Sequence, residues 1–595
     1  MTIGAELGAT RGANLFHSFQ RFDISTGHRA TFNGPDQIQN VIGRVTGGTA
    51  SNIDGTLRSS VGQADVYLIN PAGVVMGPNA KVDVPAALHL STADELRFSD
   101  GSRYSATDPV GSTLSLAAPE SFGFLSPQPA SLTIMGSQLA LKPGKTTTLT
   151  AGDITIAGSS DEQPALIRVP GGTLRIEAVG SEGARVSVDD PSGFPGGGTL
   201  TLTHAQIDAS DDGGGGIVVR AGSAQLTASR LSADNLGDAP PMGVVDLALS
   251  ETFSLSASRV HSNIFVGGNA GAIKIQAGTI RLDGQDLAHH QTGISSDAHP
   301  GSTGHAGAID LRVTDRLEIL HGAKISSSTS ASGNAGTVAI RTQDMHLDGG
   351  GFDDPFTGIT TSAYATSTGK AGDIDLAVTG RLEILNGAGI SSSTFASGDA
   401  GKIRVQAGEM RLDGGGLLDQ FTDLGIKAHA GSSGNAGTLD LKVTGLLEIL
   451  NGAFISSNTW GRGNAGRVMI RAGEMRLDNG GLPKYTGIAS DAHPESNEGD
   501  AGTLDVTVTG LLEILNGATI GSSTFSSGDA GAIRIQAGTM RLDGQGFARH
   551  KTGLASAAYP GSTGHAGAID LRVTDRLEIL HGAKISSSTS ASGNA

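Results

Sequence analysis

The sequence predicts an all-β protein with the architecture of a right-handed parallel β-helix, an elongated solenoid of stacked coils. Three observations lead to this prediction. Short apolar runs of period two stand between Gly, Pro, Asn and Asp, which is typical of strands with one buried face. The chain holds 90 Gly in 595 residues and only 4% aromatic residues, which suits a narrow core. The second half repeats with a fixed period, the signature of a solenoid or propeller.

The strand pattern runs from Phe16 to about Val188, and no segment shows a sustained helical period, so we expect almost no helix. The most informative stretch covers residues 66–80. An Asn70-Pro71-Ala72-Gly73 turn lies there between two β-rich runs, and a second group of turn residues, Gly77-Pro78-Asn79, ends it. Pro71 restricts its own φ to the turn region and Gly73 accepts a positive φ, so the stretch predicts strand, turn and strand.

Further motifs flank this stretch in a fixed order. They are Asn14-Leu15-Phe16-His17-Ser18-Phe19, residues 40–48, residues 51–57 and residues 82–93. As an ordered set, over residues 10–185, they resemble the haemagglutination-activity (two-partner secretion) domain of filamentous-haemagglutinin-like exoproteins. The family's signature turn usually has the sequence Asn-Pro-Asn-Gly-Ile, whereas Ala72 and Val74 stand here. The second family signature, Asn-Pro-Asn-Leu, has no counterpart.

The resemblance implies a protein that an outer-membrane transporter of the Omp85 type recognises in the periplasm and exports. It implies a secreted or cell-surface adhesin-like protein, expected to be a monomer, whose candidate target is a glycan or protein on a host or neighbouring cell. Asn70, Pro71, Gly73 and Asn79 are the candidate motif. Their role is either to shape the turn or to offer the Asn70 amide to the transporter.

The repeat array predicts the remaining architecture. Leu-Glu-Ile-Leu recurs at one constant interval, starting at Leu317, Leu382, Leu447, Leu512 and Leu577. Each unit contains two similar halves, and we interpret each half as one triangular coil of three short strands and three corners. We therefore expect a secretion domain at 1–185, an irregular transition at 186–251 and an array of two-coil repeats at 252–595, all within a pectin-lyase-like solenoid.

A polar residue follows Leu at an equivalent corner of each coil, and a longer and a shorter spacing alternate without exception. The set is Asp283, His321, Asp348, Asn386, Asp413, Asn451, Asp478, Asn516, Asp543 and His581. Stacked coils would bring these residues into one structural ladder, since Asn and Asp hydrogen-bond local backbone at turns. The Gly that usually follows is expected to take a positive φ, with Asn479 as the exception.

Five segments differ in length and chemistry between units: residues 286–291, 351–356, 417–424, 481–485 and 546–551. They should protrude along one edge. Such insertions are typical of binding surfaces, but neutral drift in solvent explains them equally well.

The chain offers no motif for catalysis, cofactor binding or a metal site. The net charge of −17 argues against a nucleic-acid partner. His289-His290 and Asp353-Asp354 are interpreted as loop residues. We therefore expect a protein that is not an enzyme. The alternatives are an exported stalk for a missing C-terminal effector domain and a β-helix enzyme that acts on polysaccharides.

The ends of the chain also carry an expectation. The start of the chain lacks the basic run and apolar core of a secretory signal. The last residues, 592–595, stop inside a repeat. We therefore expect a chain that is truncated at both ends, and the alternative is a cytosolic relic that is never exported.

Overall fold

The computed structural model describes residues 1–180, 183–190, 196–285, 292–351, 356–496, 498–545 and 552–595. Within these ranges the chain consists of strands, turns and two short 3-10 helices, Ala5–Leu7 and Pro494–Ser496. Nearly all strand pairs are parallel and join one coil to the next, which confirms the predicted parallel β-helix. The contacts divide the chain into two compact units, Met1–Ser262 with Gly271–Gly278, and Asn263–Ala270 with Thr279–Ala595.

The first unit is built from stacks of parallel strands. One stack contains Asn14–Phe19, Asn40–Val45, Asp65–Ile69, Leu88–Ser91, Thr146–Ala151, Thr173–Ala178, Gly216–Ala221 and Val245–Leu249, with Ile273–Asp283 beginning after it. A second contains Ser51–Ile53, Val74–Met76, Leu132–Met135, Ile154–Ala157, Thr199–Thr203, Ser223–Thr227 and Thr252–Ser256. A third contains Gln138–Ala140, Ala165–Arg168, Ala205–Asp208, Arg230–Ser232 and Arg259–His261.

The first coils have a parallel sheet of their own, made of Thr2–Gly4, Arg29–Asn33, Thr56–Ser59 and Lys81–Asp83. Ala9–Arg11 pairs antiparallel with Asn14–Phe19. A four-stranded antiparallel sheet is an addition that the repeat pattern does not predict. Its strands are Arg103–Ser105, Glu95–Phe98, Pro119–Gly123 and Arg185–Ser187.

This antiparallel sheet packs against the outward face of the first coils. Phe98, Tyr104 and Phe122 from the sheet are buried in one apolar cluster with Phe16 and Tyr67 of the coils. Buried apolar area contributes about 25 cal/mol per Å², so aromatic side chains of this size hold the sheet firmly to the coils. An outward face that would otherwise meet water thus becomes a second core of the first unit.

In the second unit each coil contributes one long strand or a pair of strands to one stack and a shorter strand to another. The first stack consists of Ile309–Leu320, Val338–Thr342, Asp344–Asp348, Ile374–Leu385, Ile403–Asp413, Thr438–Leu450, Arg467–Asp478, Leu504–Leu515, Ile533–Asp543 and Ile569–Leu580. The other consists of Gly293–Ala298, Lys324–Thr329, Gly358–Ala363, Gly389–Thr394, Thr422–Ala428, Ala453–Thr459, Gly487–Ala489, Thr519–Gly521, Gly553–Ala558 and Lys584–Thr589.

The expected three short strands per coil are therefore wrong in most coils of the second unit. The first two strands join into one strand of 11 to 13 residues, which bends where the pairing register shifts, as between Val378 and Arg381. Gly380 lies at this bend and donates its N–H to the carbonyl of Gln343 in the preceding coil. A Gly at this position lets the chain bend while it stays hydrogen-bonded, so no loop forms at this corner.

A column of glycines lies where the chain enters each long strand of the second unit. Gly466 donates its N–H to the hydroxyl of Ser457 at 3.0 Å, and equivalent bonds occur at Gly336, Gly401 and Gly531. A Cβ built on Gly466 would collide with the carbonyl oxygen of Gly437 in the coil before. Glycine is required here by the close approach of two backbones.

We expect Gly466→Ala to lower the unfolding midpoint of the chain, because the added methyl group must displace backbone; overpacking of this kind costs about 1–3 kcal/mol or more. Gly521→Ala is the matched control. Its Cβ would meet nothing closer than 3.6 Å, and the aligned residues of the adjacent coils, Ala489 and Ala555, are already alanine. Thermal unfolding followed by circular dichroism measures both variants. Equal midpoints for the two would contradict the packing argument.

Candidate functional site

Asn70 lies at the end of its strand with its side chain fully enclosed, at 0% exposure. Its amide nitrogen donates to the carbonyl of Thr49 and to the hydroxyl of Ser51, both at 3.0 Å, and its side-chain oxygen accepts the N–H of Ala72 at 3.0 Å. The last bond closes an Asx turn around Pro71. The Asn70 side chain therefore makes all of these hydrogen bonds within the turn or with the coil before it. Pro71 lies half-buried at the surface.

Gly73 and Asn79 complete the candidate motif in different ways. Gly73 has φ +115°, a conformation that strains any side chain, and its N–H donates to the carbonyl of Asn70 at 3.0 Å. Asn79 is exposed and donates its backbone N–H to Asp54 at 2.9 Å. Hydrogen bonds from Thr26 and Asn79 lower the pKa of Asp54. This second turn is tied to the preceding coil through that carboxylate.

The neighbouring motifs contain connecting residues whose roles the sequence does not show. Asn40 donates its amide to Asn14 at 2.8 Å in the coil before, and Asn14 donates to the carbonyls of Ser115 and Ala117. Both asparagines are buried. They tie the parallel coils to the segment that leads into the antiparallel sheet.

Arg44 lies four residues further along the same strand and makes a second connection of this kind. Its guanidinium donates to the carbonyl of Ser105 at 2.6 Å and to the hydroxyl of Ser112 at 2.7 Å, and it lies 4.1 Å from the ring centre of Tyr104. The Tyr104 hydroxyl donates in turn to the carbonyl of His17 at 2.8 Å. Only the order of the motifs in the sequence hints at these contacts, because the partners lie far apart in the chain.

The ten ladder residues are linked into one column in the second unit. Across each longer step, a side chain bonds the carboxylate of the Asp before it, as Asn386 does to Asp348 and Asn451 to Asp413, both at 3.0 Å. Across the shorter steps the backbone makes the link, as from the N–H of Asn386 to the carbonyl of Asp413. The other pairs are Asp283 with His321, Asp478 with Asn516, and Asp543 with His581.

The glycine prediction at this corner is right for one kind of coil and wrong for the other. Gly322, Gly387, Gly452 and Gly517 have φ between +85° and +94°, and each follows a His or Asn that is itself left-handed. Gly349, Gly414 and Gly544, which follow Asp, are not left-handed. A Cβ on these three would collide with the backbone of the next ladder residue, so a close approach explains them. Asn479 occupies this place in one coil, and its side chain donates to the carbonyl of Leu482 at 2.7 Å.

The second unit contains a second column, not predicted from the sequence, made of aromatic and histidine rings at the corner that follows each of seven consecutive shorter strands. Neighbouring rings in it are stacked, with centres 3.9 to 6.1 Å apart and planes inclined by 5° to 21°. The column consists of Tyr364, Phe395, His429, Trp460, His493, Phe525 and Tyr559. A signal exists in the sequence, since each ring lies one residue beyond an aligned buried Thr or Ala.

Two of the variable segments, 417–424 and 481–485, lie in the described chain and contact each other. Lys484 donates to the carbonyl of Leu417 at 2.8 Å and lies 4.6 Å from the ring centre of Phe421. Residues 286–291 and 546–551 lie outside the described residues, and so do residues 352–355 of a third variable segment. His289-His290 and Asp353-Asp354 are among these residues.

Within the described ranges, no three His, Cys, Asp or Glu side chains are grouped as metal ligands. No helix in the same ranges is long and apolar enough to cross a membrane.

Comparison with known proteins identifies the N-terminal part. Residues 2–239 match the model of the TPS secretion domain family. These residues therefore match a secretion domain of the two-partner class, as the motif order implies. Such a domain implies a partner transporter, and proteins that carry it are secreted or surface-exposed.

Two relatives were found in Haemophilus influenzae. A heme/hemopexin-binding protein is 39% identical over 79 residues, which is 13% of this chain and 8% of that protein. The chain thus matches less than a tenth of that relative's length. The HMW1 secretion domain has a TM-score of 0.34 and 17% identity, and the match covers 68% of this chain and 92% of that one. The matched family is a secretion domain, and the curated relative is named as a binding protein.

Asn70→Ala is expected to lower the melting temperature and the secreted amount together, because it leaves the Thr49 carbonyl and the Ser51 hydroxyl without their donor. The loss of buried hydrogen bonds of this kind costs about 1–3 kcal/mol. Gln37→Ala is the control, since Gln37 is an exposed residue of the first coils outside the motif. Differential scanning fluorimetry and immunoblotting of the culture medium measure the two quantities. A normal melting temperature with blocked export would assign Asn70 to transporter recognition instead.

The carboxylates of the ladder are expected to make the stability of the fold sensitive to acid. Burial alone would raise the pKa of Asp413, but hydrogen bonds from Gly415, Arg411 and Asn451 outweigh it and lower the pKa below the usual 3.8. The pKa of Asp478 is lowered in the same way. A lowered native pKa adds stability above the unfolded pKa, and this stability is lost as the pH falls through the native value.

We therefore expect the unfolding midpoint of the chain to fall as the pH drops below about 4. The double variant D413N/D478N should be less stable than the wild type at pH 7, and the difference should shrink on acidification. Asp575→Asn changes an exposed carboxylate outside the ladder and serves as the control. A difference that stays constant from pH 7 to pH 2 would show that ladder ionisation contributes nothing.

Proposed function

We propose that this chain is an adhesin-like exoprotein, exported across the outer membrane by a partner transporter of the Omp85 type that recognises the N-terminal secretion domain. The repeat array then displays a binding surface outside the cell. The single observation that supports this proposal most is the match of residues 2–239 to the TPS secretion domain, in a chain that continues into a regular array of coils.

The physics of a repeat array suits export through a narrow pore. Each coil bonds only to the coils before and after it, so folding can begin with the first coil that emerges and continue outward. Burial of Val, Ile and Leu at the outer side stabilises each added coil and opposes return of the chain. The chain contains no Cys, so no disulfide can lock it before passage.

The transporter is proposed to recognise the shape of the N-terminal coils, with the candidate turn as a rigid part of it. The buried Asn70 amide holds the turn, while the half-buried Pro71 and Ala72 and the exposed Asn79 face solvent. Contacts are therefore expected with backbone and with these surface groups.

An exported stalk whose effector lies beyond this chain is the second candidate function. The regularity of the coils favours it, since the array repeats one design with few local exceptions. A stalk needs no ligand, so binding of a cell-surface molecule by the array separates the two candidates.

The predicted division at residues 185 and 251 remains a prediction. Val186 and Val188 pack in the same cluster as Phe16, Phe98 and Phe122, so a cut at 185 would remove part of that core. Fragments that follow the compact units are safer, and residues 1–278 contain all of the first unit.

With a signal peptide and the partner transporter supplied, residues 1–278 should reach the medium, whereas residues 263–595 should remain in the periplasm. The reason is that the transporter is expected to recognise the secretion domain alone. Immunoblots of medium and periplasm measure the distribution, and the same strains without the transporter are the control. Transporter-dependent export of 263–595 by itself would overturn the assignment.

A further inference from the structure

A groove runs along the outer face of the shorter strands in the second unit. Four consecutive rings of the aromatic column described above, from His429 to Phe525, form one wall. Phe421, Phe454 and Tyr485 form the other, with ring centres 5.8 and 6.4 Å apart and planes close to perpendicular. The space between the walls is about 590 Å³. Phe421 is 62% exposed, which is unusual for so large an apolar side chain.

The floor of the groove is polar. Lys427, Asn458 and Asp491 occupy equivalent positions in three successive coils and all line the groove. Asn458 accepts the N–H of Asp491 through its side-chain oxygen at 2.9 Å, and Asp491 accepts the N–H of Ser523 at 2.7 Å. Among the described residues, the Asn458 amide nitrogen and the second Asp491 oxygen have no hydrogen-bond partner. The floor thus presents a donor and an acceptor.

The groove carries little net charge near neutral pH. Lys427 is paired with Asp423. Burial lowers the pKa values of His429 and His493 to about 4, so both rings are neutral. Burial raises the pKa of Asp491 to about 7, so its carboxyl group is partly protonated. A neutral ligand that offers hydroxyl groups matches this floor better than an anion or a cation does.

An extended peptide cannot add to this face as a strand. Strand Thr422–Ala428 pairs with Ala453–Thr459, which pairs with Gly487–Ala489, so the backbone groups of the floor are already used. An anionic polymer would be repelled by the chain, because the net charge of the chain is −17.

We propose that this groove binds a neutral oligosaccharide, whose C–H surfaces pack against the aromatic walls while its hydroxyl groups bond to Lys427, Asn458 and Asp491. The proposal names the ligand class for the adhesin function proposed above and rests on that function for its biological role. Binding by the purified chain does not depend on export, so the two proposals can fail separately.

The only Trp of the chain, Trp460, lies in the groove wall, so intrinsic Trp fluorescence reports on this site alone. The purified full chain is first applied to an array of neutral, sialylated and sulfated oligosaccharides. The neutral glycan that binds best is then titrated while Trp460 emission is followed. We expect saturable binding of neutral glycans and a change in emission. Absence of neutral binders, or a preference for sulfated or sialylated glycans, overturns the proposal.

Variants test the place of binding. Phe421→Ala should weaken binding about tenfold, as expected for the loss of one aromatic contact together with its buried area. Asn458→Leu should weaken it further, because the floor donor is lost. Leu418→Ala is the matched control, since Leu418 is an exposed apolar residue of the same segment that does not line the groove. Unchanged affinity in both groove variants, with unfolding midpoints like that of the wild type, overturns the proposal.

Discussion

The constraint that governs this protein is the hydrogen-bonded register between successive coils. Each strand shares backbone bonds with the coil before and the coil after, so Leu447, Met475, Leu512 and Met540 fall into line at a spacing of about 4.8 Å. Any residue that disturbs the path of one coil disturbs both neighbours. Glycine is therefore required wherever two backbones meet more closely than a Cβ permits, and polar corner residues are those that bond to their counterparts in the next coil.

The coils of the first unit follow the same hydrogen-bonded register, and an additional sheet packs against them. Its antiparallel sheet covers the coils through an aromatic cluster, and buried polar groups fix its position. Arg175 and Glu177 form an ion pair at 2.6 Å with almost no exposure, and Arg175 also donates to the carbonyl of Ser187 in the last strand of that sheet. Such a pair is costly to desolvate and costly to break, so its main effect is on the specificity of packing. The motif residues Asn14, Asn40 and Arg44 also fix the packing, because their hydrogen bonds join segments that are far apart in the sequence.

Features that depend on contacts within one coil could be predicted from the sequence, whereas features that depend on contacts between distant segments could not. The strand pattern, the constant repeat period and the alternating ladder spacing are properties of each coil, so they are visible in the chain itself. The antiparallel sheet depends on pairing between distant segments, as of Glu95 with Ser105 and Gly123, and nothing in the periodicity indicates it. The merged strands were missed because a bend at Gly380 resembles a corner in sequence.

The aromatic column was missed for another reason. Its members belong to four residue types, and they recur at uneven spacings because the loops differ in length. Phe395 and Trp460 can be recognised as members of one column only when the strands that precede them are aligned by their pairing. These strands are Gly389–Thr394 and Ala453–Thr459. The turn around Asn70 illustrates the opposite case, in which the motif was visible but the enclosure of its amide by Thr49 and Ser51 depended on the coil before it.

The alternation in the corner ladder sets a rule for how such a chain can change in length during evolution. In every described pair, an Asp carboxylate accepts from a His or Asn of the next coil, so the two kinds of coil are not interchangeable. Loss of a single coil breaks the alternation, and loss of the coil that carries Asn386 would place the carboxylates of Asp348 and Asp413 in adjacent positions where they repel each other. Gene duplication or deletion in steps of one whole two-coil repeat keeps the alternation. The identity of residues 300–335 with 560–595, four such steps apart, is what growth by whole pairs of coils would leave behind.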